Sequence, residues 1–138
     1  MSRVSTYINC LGNTEEAFNF YAQAFGNPVI NLTRFADAGM PLAEDDLQKL
    51  LHVELEILGG HMLMGTDMLE SAGHVLNLGN NISINLEPDT KEEADRIHAA
   101  LSQGAREDSG LSDMPWGAYW GSWLDKFGIR WMINVANS

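Results

Sequence analysis

Residues 119–135 read YWGSWLDKFGIRWMINV, and this stretch does most to define the fold. Large apolar side chains alternate with smaller or polar ones on both sides of the sequence DKFG at 125–128, as in half-buried strands. Four residues that end in glycine connect antiparallel strands in many hairpins. The stretch therefore predicts a hairpin with strands over 119–124 and 129–135.

A faint internal repeat relates the two halves of the chain. The residues TEEA at 14–17 match KEEA at 91–94, an offset of 77 positions. Each copy follows a short strand-like segment, 7–11 or 82–86, and runs on through a helical pattern to a glycine. The repeated order of strand, helix and glycine predicts two similar modules.

Two helices are predicted, each with an apolar stripe along one side. The first covers 14–25, with Asn13 as its N-cap and a glutamate three residues on, a variant of the capping box. The second covers 91–103, where Thr90 and Glu93 form a standard capping box. Glycines at 26 and 104 are suited to ending these helices.

Alternation predicts further strands over 52–57, 61–65 and 81–86, while 36–50 and 66–80 are expected to be loops or short helices. The apolar members of the first and third strands are expected beneath a helix: Val53, Leu55, Ile57, Ile82, Ile84 and Leu86. The polar members are expected to point the other way: His52, Glu54, Glu56, Asn81, Ser83 and Asn85. Strands outnumber helices and each helix needs a sheet to cover, so the fold class is α+β.

Composition excludes several classes of protein. Among 138 residues, 19 acidic and 8 basic side chains give a net charge of −11, which opposes binding to nucleic acid or anionic membranes. No apolar run is long enough to span a bilayer, and no signal peptide is evident. The one cysteine, Cys10, excludes an intrachain disulfide. Together these features predict a cytoplasmic protein.

Short motifs in a consistent order connect the chain with a known family. They are YINCLGN at 7–13, EAF at 16–18, FY at 20–21, FG at 25–26, HVEL at 52–55, WG at 116–117, DKFG at 125–128 and WMIN at 131–134. The pattern resembles the vicinal oxygen chelate superfamily, which includes glyoxalases, extradiol dioxygenases and bleomycin-resistance proteins. Within it the sequence is most similar to the PhnB-like group, sometimes labelled 3-demethylubiquinone methyltransferase-like.

The resemblance implies one domain of two βαβββ modules, here about 1–70 and 78–138. Their sheets would curve into a cupped, half-open barrel, with helices outside and a cavity inside. Many relatives form homodimers, so a homodimer is expected. The methyltransferase label gains no support from the residues, because no glycine-rich strand-loop-helix for a nucleotide is present.

Metal-dependent members of the superfamily hold a divalent ion with four side chains. The resemblance places those positions here at about Thr6, Met64, Asn81 and Met132. Neutral oxygens are weak ligands and thioethers prefer soft metals, so this set would not hold Ni²⁺, Zn²⁺ or Fe²⁺ firmly. We therefore expect no cofactor, leaving open a weakly held divalent metal at His52 and Glu54.

The expected cavity combines polar groups, methionines and aromatic rings, which suits a small organic ligand. The candidate ligand-binding residues are Thr6, Met64, Asn81, Ser83, Trp116, Arg130, Met132 and Asn134. His52 and Glu54 are the candidate acid–base pair, because histidine titrates near neutrality. Simpler interpretations stay open: His52 and Glu54 as a solvated strand face, Arg130 as an ion-pair partner, the tryptophans as core or dimer interface.

Three functional hypotheses follow. The first is a metal-free protein that sequesters or senses a small organic molecule. The second is a lyase or isomerase that uses His52 and Glu54, with a weakly held metal as an option. The third is an interaction module whose cavity is filled by its own side chains.

Overall fold

The chain folds as two units, Met1–Asn77 and Leu78–Ser138, and the computed structural model describes residues 2–136. The first unit contains β1 (Thr6–Cys10), α1 (Thr14–Phe25), β2 (Val29–Arg34), α2 (Glu44–Leu47), β3 (Leu50–Glu56) and β4 (Met62–Asp67). The second unit contains β5 (Ile84–Leu86), α3 (Lys91–Leu101), β6 (Ser112–Asp113), β7 (Ala118–Leu124) and β8 (Arg130–Ala136). Short 3₁₀ turns occupy 35–38, 58–60 and 70–72.

Both units have the same sheet topology. The first sheet has the order β1-β4-β3-β2 and the second the order β5-β8-β7-β6. In each sheet the first strand runs parallel to its neighbour, and the other pairs are antiparallel. The predicted α+β fold of paired βαβββ modules is therefore confirmed, and it explains the repeat in the sequence.

In the first unit α1 covers one face of the sheet. Phe18 and Tyr21 are fully buried, as are Val53 and Leu55 of β3. The fit is closest at Gly65 in β4, where an added Cβ would lie 2.6 Å from Phe18 Cε1. A glycine at this position lets the phenyl ring lie directly on the backbone of the strand.

The start of α1 is held by a residue distant in sequence. The predicted capping box at Asn13 is wrong, since the Asn13 side chain makes no capping hydrogen bond. The Thr14 amide and hydroxyl instead donate to Asp67 Oδ1 at 3.0 and 2.6 Å, and the Leu50 amide donates to Asp67 Oδ2 at 2.8 Å. Tertiary structure thus supplies a stronger, charged acceptor than the local cap.

The second helix begins as predicted. The Glu93 amide donates to Thr90 Oγ1 at 3.1 Å, and the Glu93 carboxylate accepts from the Asp89 amide. The helix ends at Leu101, two residues earlier than expected, where the Ser102 amide still donates to the His98 carbonyl. The structure therefore confirms the cap and shortens the helix.

The C-terminal hairpin forms at the predicted place, with strands within a residue of those expected. Asp125, fully buried, accepts hydrogen bonds from the Phe127 and Ile129 amides through Oδ1. Its Oδ2 accepts from Trp131 Nε1 at 2.8 Å. One carboxylate therefore joins the turn to the strand that follows.

Two strand predictions need correction. The strand expected over 81–86 begins only at Ile84, and Ile82 is 78% exposed instead of lying beneath a helix. Strand β2, which lies at the edge of the first sheet, was not predicted. Its pairing with β3 contains register shifts, so its side chains do not show strict alternation.

Among the described residues, no helix has the length and apolar character needed to cross a membrane.

Candidate ligand-binding site

Strand pairing in the first unit decides which side chains share the sheet face turned away from α1. Tyr7 of β1 lies opposite Met64, which lies opposite Glu54 of β3. Farther along β1, Asn9 lies opposite Thr66. Because directly paired residues project to the same side of a sheet, these side chains form one open face.

A chain of hydrogen bonds crosses this open face. Tyr7 Oη lies 3.0 Å from His52 Nδ1, and His52 Nε2 lies 2.7 Å from Glu54 Oε2. Asn31 Nδ2 of the edge strand donates to Glu54 Oε1 at 3.0 Å. Both nitrogens of His52 are therefore engaged, and Tyr7 forms the end of the chain opposite Asn31.

The protonation of these hydrogen-bonded side chains follows from their contacts. Hydrogen bonds from His52 and Asn31 lower the pKa of Glu54, which therefore stays a carboxylate at neutral pH. An ionised Glu54 can only accept, so His52 Nε2 carries the proton, and in neutral imidazole Nδ1 accepts from the Tyr7 hydroxyl. Burial raises the pKa of Tyr7, partly offset by a hydrogen bond with Thr66, so its phenol stays protonated.

A cavity of about 490 Å³ opens beside this chain at the end of the sheet. Asn9, Leu51, Thr66 and Asp67 line it from the strands, and residues of the segments 35–42 and 68–74 border it. Its apolar lining residues are Phe35, Met40, Leu42, Leu51, Met68, Leu69 and Ala72. This volume is typical of cavities that bind small organic molecules.

Three polar contacts organise the loops around the cavity. Asp46 of α2 accepts from Ser71 Oγ at 2.5 Å and from Lys49 Nζ at 2.8 Å, which ties α2 to the 70–72 turn. His74, which lines the cavity, accepts from the Leu69 amide through Nδ1. That contact leaves the ring proton of a neutral His74 on Nε2.

The structure brings together only part of the predicted site. His52, Glu54 and Met64 share the open face, but Thr6 lies opposite Leu63, on the side that α1 covers. The Thr6 hydroxyl is hydrogen-bonded to His61 Nε2 at 2.8 Å. Tyr7, the next residue, lies opposite Met64, where the resemblance had placed Thr6. Because neighbouring residues of a strand face opposite sides of the sheet, this shift of one residue puts Thr6 on the covered face.

In the second unit, Arg130, Met132 and Asn134 share one face of β8, away from the buried Trp131 and Ile133. Arg130 Nη2 lies 2.8 Å from Glu107 Oε2, which agrees with its interpretation as an ion-pair partner. The remaining predicted ligand-binding residues of this unit, Asn81, Ser83 and Trp116, lie outside the strands and are exposed. Asn85, not Asn81, lies opposite Met132.

Sequence reasoning missed Tyr7 and the residues of the cavity. No local sequence pattern marks Tyr7 as a site residue. Its position in the site depends on the pairing of β1 with β4, and not with β2, the next strand in the sequence. The cavity is enclosed by loops whose apolar residues follow no period. The available clue was the presence of Met40, Leu42, Met68 and Leu69 in segments expected to be loops or short helices.

Comparison with known proteins decides the family. A family model for 3-demethylubiquinone-9 3-methyltransferase matches residues 2–134. The chain belongs to this PhnB-like family. Protein PA1353 from Pseudomonas aeruginosa is 30% identical, with a TM-score of 0.85 over 100% of both chains. Protein YjdN from Escherichia coli (strain K12) is 22% identical over 96% of this PhnB-like chain and 94% of its own length.

Two further structures share the fold of the PhnB-like chain. The putative 3-demethylubiquinone-9 3-methyltransferase, PhnB protein, from Bacillus cereus is 23% identical, with a TM-score of 0.79 over 98% of this chain and 100% of that one. A glyoxalase/bleomycin resistance protein/dioxygenase family enzyme from Burkholderia phytofirmans PsJN is 20% identical, with a TM-score of 0.63 over 95% and 97%. At these identities the likenesses show a shared fold.

The divalent metal that the resemblance implies does not fit the donors at the four expected positions of this PhnB-like chain. His52 and Glu54 on the open face are hydrogen-bonded to each other. The residues at or next to the four expected metal positions are Tyr7 with a phenol, Asn85 with an amide, and Met64 and Met132 with thioethers. None is a strong ligand for a hard or borderline divalent ion. Within residues 2–136, no three side chains of His, Cys, Asp or Glu are grouped so as to hold a metal.

Proposed function

We propose that this PhnB-like protein binds a small organic molecule in the cavity of its first unit, without a metal. The observation that carries the proposal is the 490 Å³ cavity, whose lining is largely apolar with a few polar groups. Apolar walls supply affinity and a small number of polar atoms orient the ligand.

The polar groups of the cavity favour a ligand with one polar end. Asp67 lines the cavity, but its carboxylate is engaged by Thr14 and Leu50. Within residues 2–136 the Asn9 side chain has no hydrogen-bond partner, and His74 offers Nε2. An apolar body with a polar tip would therefore match the cavity, and the net charge of −11 opposes anionic ligands.

Nile red, an uncharged dye that brightens in apolar surroundings, provides a direct test. We expect the chelator-treated wild-type protein to bind it saturably. The Ala72→Phe variant places a large ring at the cavity lining and should weaken binding about tenfold or more, which corresponds to about 1.4 kcal/mol.

A matched control is Ala38→Phe, an equal change at an exposed alanine of the 35–38 turn that does not line the cavity. It should bind the dye as the wild type does. Equal binding by Ala72→Phe and wild type would refute the cavity as the binding site. Binding that disappears with chelator and returns with Zn²⁺ or Ni²⁺ would refute the metal-free part of the proposal.

A further inference from the structure

The hydrogen-bond chain on the open face has one end available to a ligand. His52, the predicted acid–base residue, has both ring nitrogens occupied, by Tyr7 and by Glu54. The Glu54 carboxylate is held by His52 and Asn31 and its side chain is 15% exposed. Tyr7, in contrast, is 49% exposed. A ligand on this face would therefore meet the Tyr7 hydroxyl and not the imidazole.

We propose that Tyr7, His52 and Glu54 form a proton-accepting site for an acidic hydroxyl group, such as that of a phenol or an enol. The inference rests on the proposed function, because the ligand that carries this hydroxyl would be held in the neighbouring cavity. Tyr7 is the catalytic residue of the site, and His52 and Glu54 act through it.

The proton transfer balances within these three side chains. The ligand hydroxyl gives its proton to Tyr7 Oη, and Tyr7 passes its own proton to His52 Nδ1. His52 becomes an imidazolium that still donates through Nε2 to Glu54. The ligand is left as an oxyanion that accepts a hydrogen bond from Tyr7, and no other bond forms or breaks. The three groups have the same order as in a nucleophile–histidine–carboxylate triad, with the phenol of Tyr7 at the position of the nucleophile.

The carboxylate of Glu54 lies where the imidazolium would form. Glu54 stays ionised and lies 2.7 Å from the ring, so it stabilises the imidazolium as the proton arrives. Asn31 holds the second carboxylate oxygen and keeps the group in place. The acceptor is therefore preorganised before any ligand binds.

The hydrogen-bonded residues Tyr7, His52 and Glu54 lie close enough to the cavity for one ligand molecule to reach both. Tyr7 and Asn9 project from the same face of β1, two residues and about 7 Å apart, and Asn9 lines the cavity. Thr66, also in the cavity lining, pairs with Asn9 and follows Met64, the partner of Tyr7, by two residues on the same face of β4. A ligand in the cavity can thus place its polar end at Tyr7.

The test uses para-nitrophenol, whose absorbance distinguishes the phenol from the phenolate. We expect bound para-nitrophenol to show a phenolate fraction several-fold larger with the wild-type protein than in buffer at the same mildly acidic pH. The Tyr7→Phe and Glu54→Gln variants should bind the probe but lose most of this excess. Tyr119→Phe, which removes a hydrogen-bonded phenol from the second unit, is the matched control and should keep it.

Each outcome bears on the inference. An equal phenolate fraction in wild type and Tyr7→Phe, with binding intact, would overturn the proton-accepting role and leave the proposed function standing. Failure of para-nitrophenol to bind while Nile red still binds would overturn the assigned ligand chemistry alone. Failure of both probes to bind would overturn the proposed function as well.

Discussion

The hydroxyl of Thr14 donates a 2.6 Å hydrogen bond to the carboxylate of Asp67, which lies 53 positions later in the chain. The same carboxylate accepts from the backbone amides of Thr14 and Leu50. It therefore connects the end of β4 with the start of α1 and the start of β3, the frame on which the open face is built.

Replacing Asp67 by alanine should destabilise the protein by about 2–4 kcal/mol. The change leaves the buried backbone amides of Thr14 and Leu50 without their acceptor, and each unsatisfied group costs about 1–3 kcal/mol. The Thr14 hydroxyl keeps the Thr66 carbonyl as an acceptor at 2.9 Å. Urea unfolding followed by circular dichroism would measure the loss. Asp45→Ala, at an exposed aspartate of α2, should change stability by no more than about 0.5 kcal/mol. Equal stability of the two variants would contradict this role for Asp67.

Gly65→Ala should cost about 1–3 kcal/mol, because the new methyl group would overlap the Phe18 ring. A smaller side chain at the same place should relieve the overlap. We therefore expect Phe18→Leu to be less destabilising in the Gly65→Ala background than in the wild type. A double-mutant cycle from urea unfolding measures this coupling. Strictly additive changes in the free energy of unfolding would show that the Phe18 ring is not in close contact with the strand at Gly65.

Stability should depend on the ionisation of Glu54 at acidic pH. Its folded pKa is lowered from the ordinary 4.5, mainly by the hydrogen bond from His52, so its contribution is fully present above pH 4.5. That contribution is lost as the pH falls through the lower folded pKa. The difference in melting temperature between wild type and Glu54→Gln should therefore shrink as the pH is lowered below 4.5.

Glu16→Gln, an equal change of charge on the exposed side of α1, corrects for the altered net charge. Circular dichroism melts at a series of pH values would provide both comparisons. A difference between wild type and Glu54→Gln that stays constant from neutral pH to the acid limit would contradict the carboxylate contact with His52.

Regular patterns in the sequence predicted most of the fold. The first helix was predicted over its full length, because its apolar stripe is bounded by polar residues and a glycine that adopts a positive φ. The hairpin was located by its turn sequence, in which Asp125 accepts a hydrogen bond from the Phe127 amide and Gly128 adopts a positive φ. Strand β2 was missed because it lies at an edge, and Asn31 within it has a positive φ that disrupts alternation.

Only the part of the candidate site that lies on a single strand was predicted from the sequence. His52 and Glu54 are two residues apart on β3, so alternation alone places them on one face. Tyr7 joins them only through the pairing of β1 with β4 and β4 with β3, which no local pattern specifies. Asp67 and Asp125 were likewise not recognised as structural acceptors, because their partners lie on other elements or in the following turn.

All four tryptophans, at positions 116, 120, 123 and 131, belong to the second unit, and the first unit contains none. Trp131 is buried with its indole bonded to Asp125, so its emission should change when the hairpin opens. Intrinsic fluorescence excited at the indole band therefore reports on one half of the chain alone. A variant with one tryptophan added to the other half would emit from both modules, and subtracting the wild-type melt from the melt of this variant would give the melting of the first repeat.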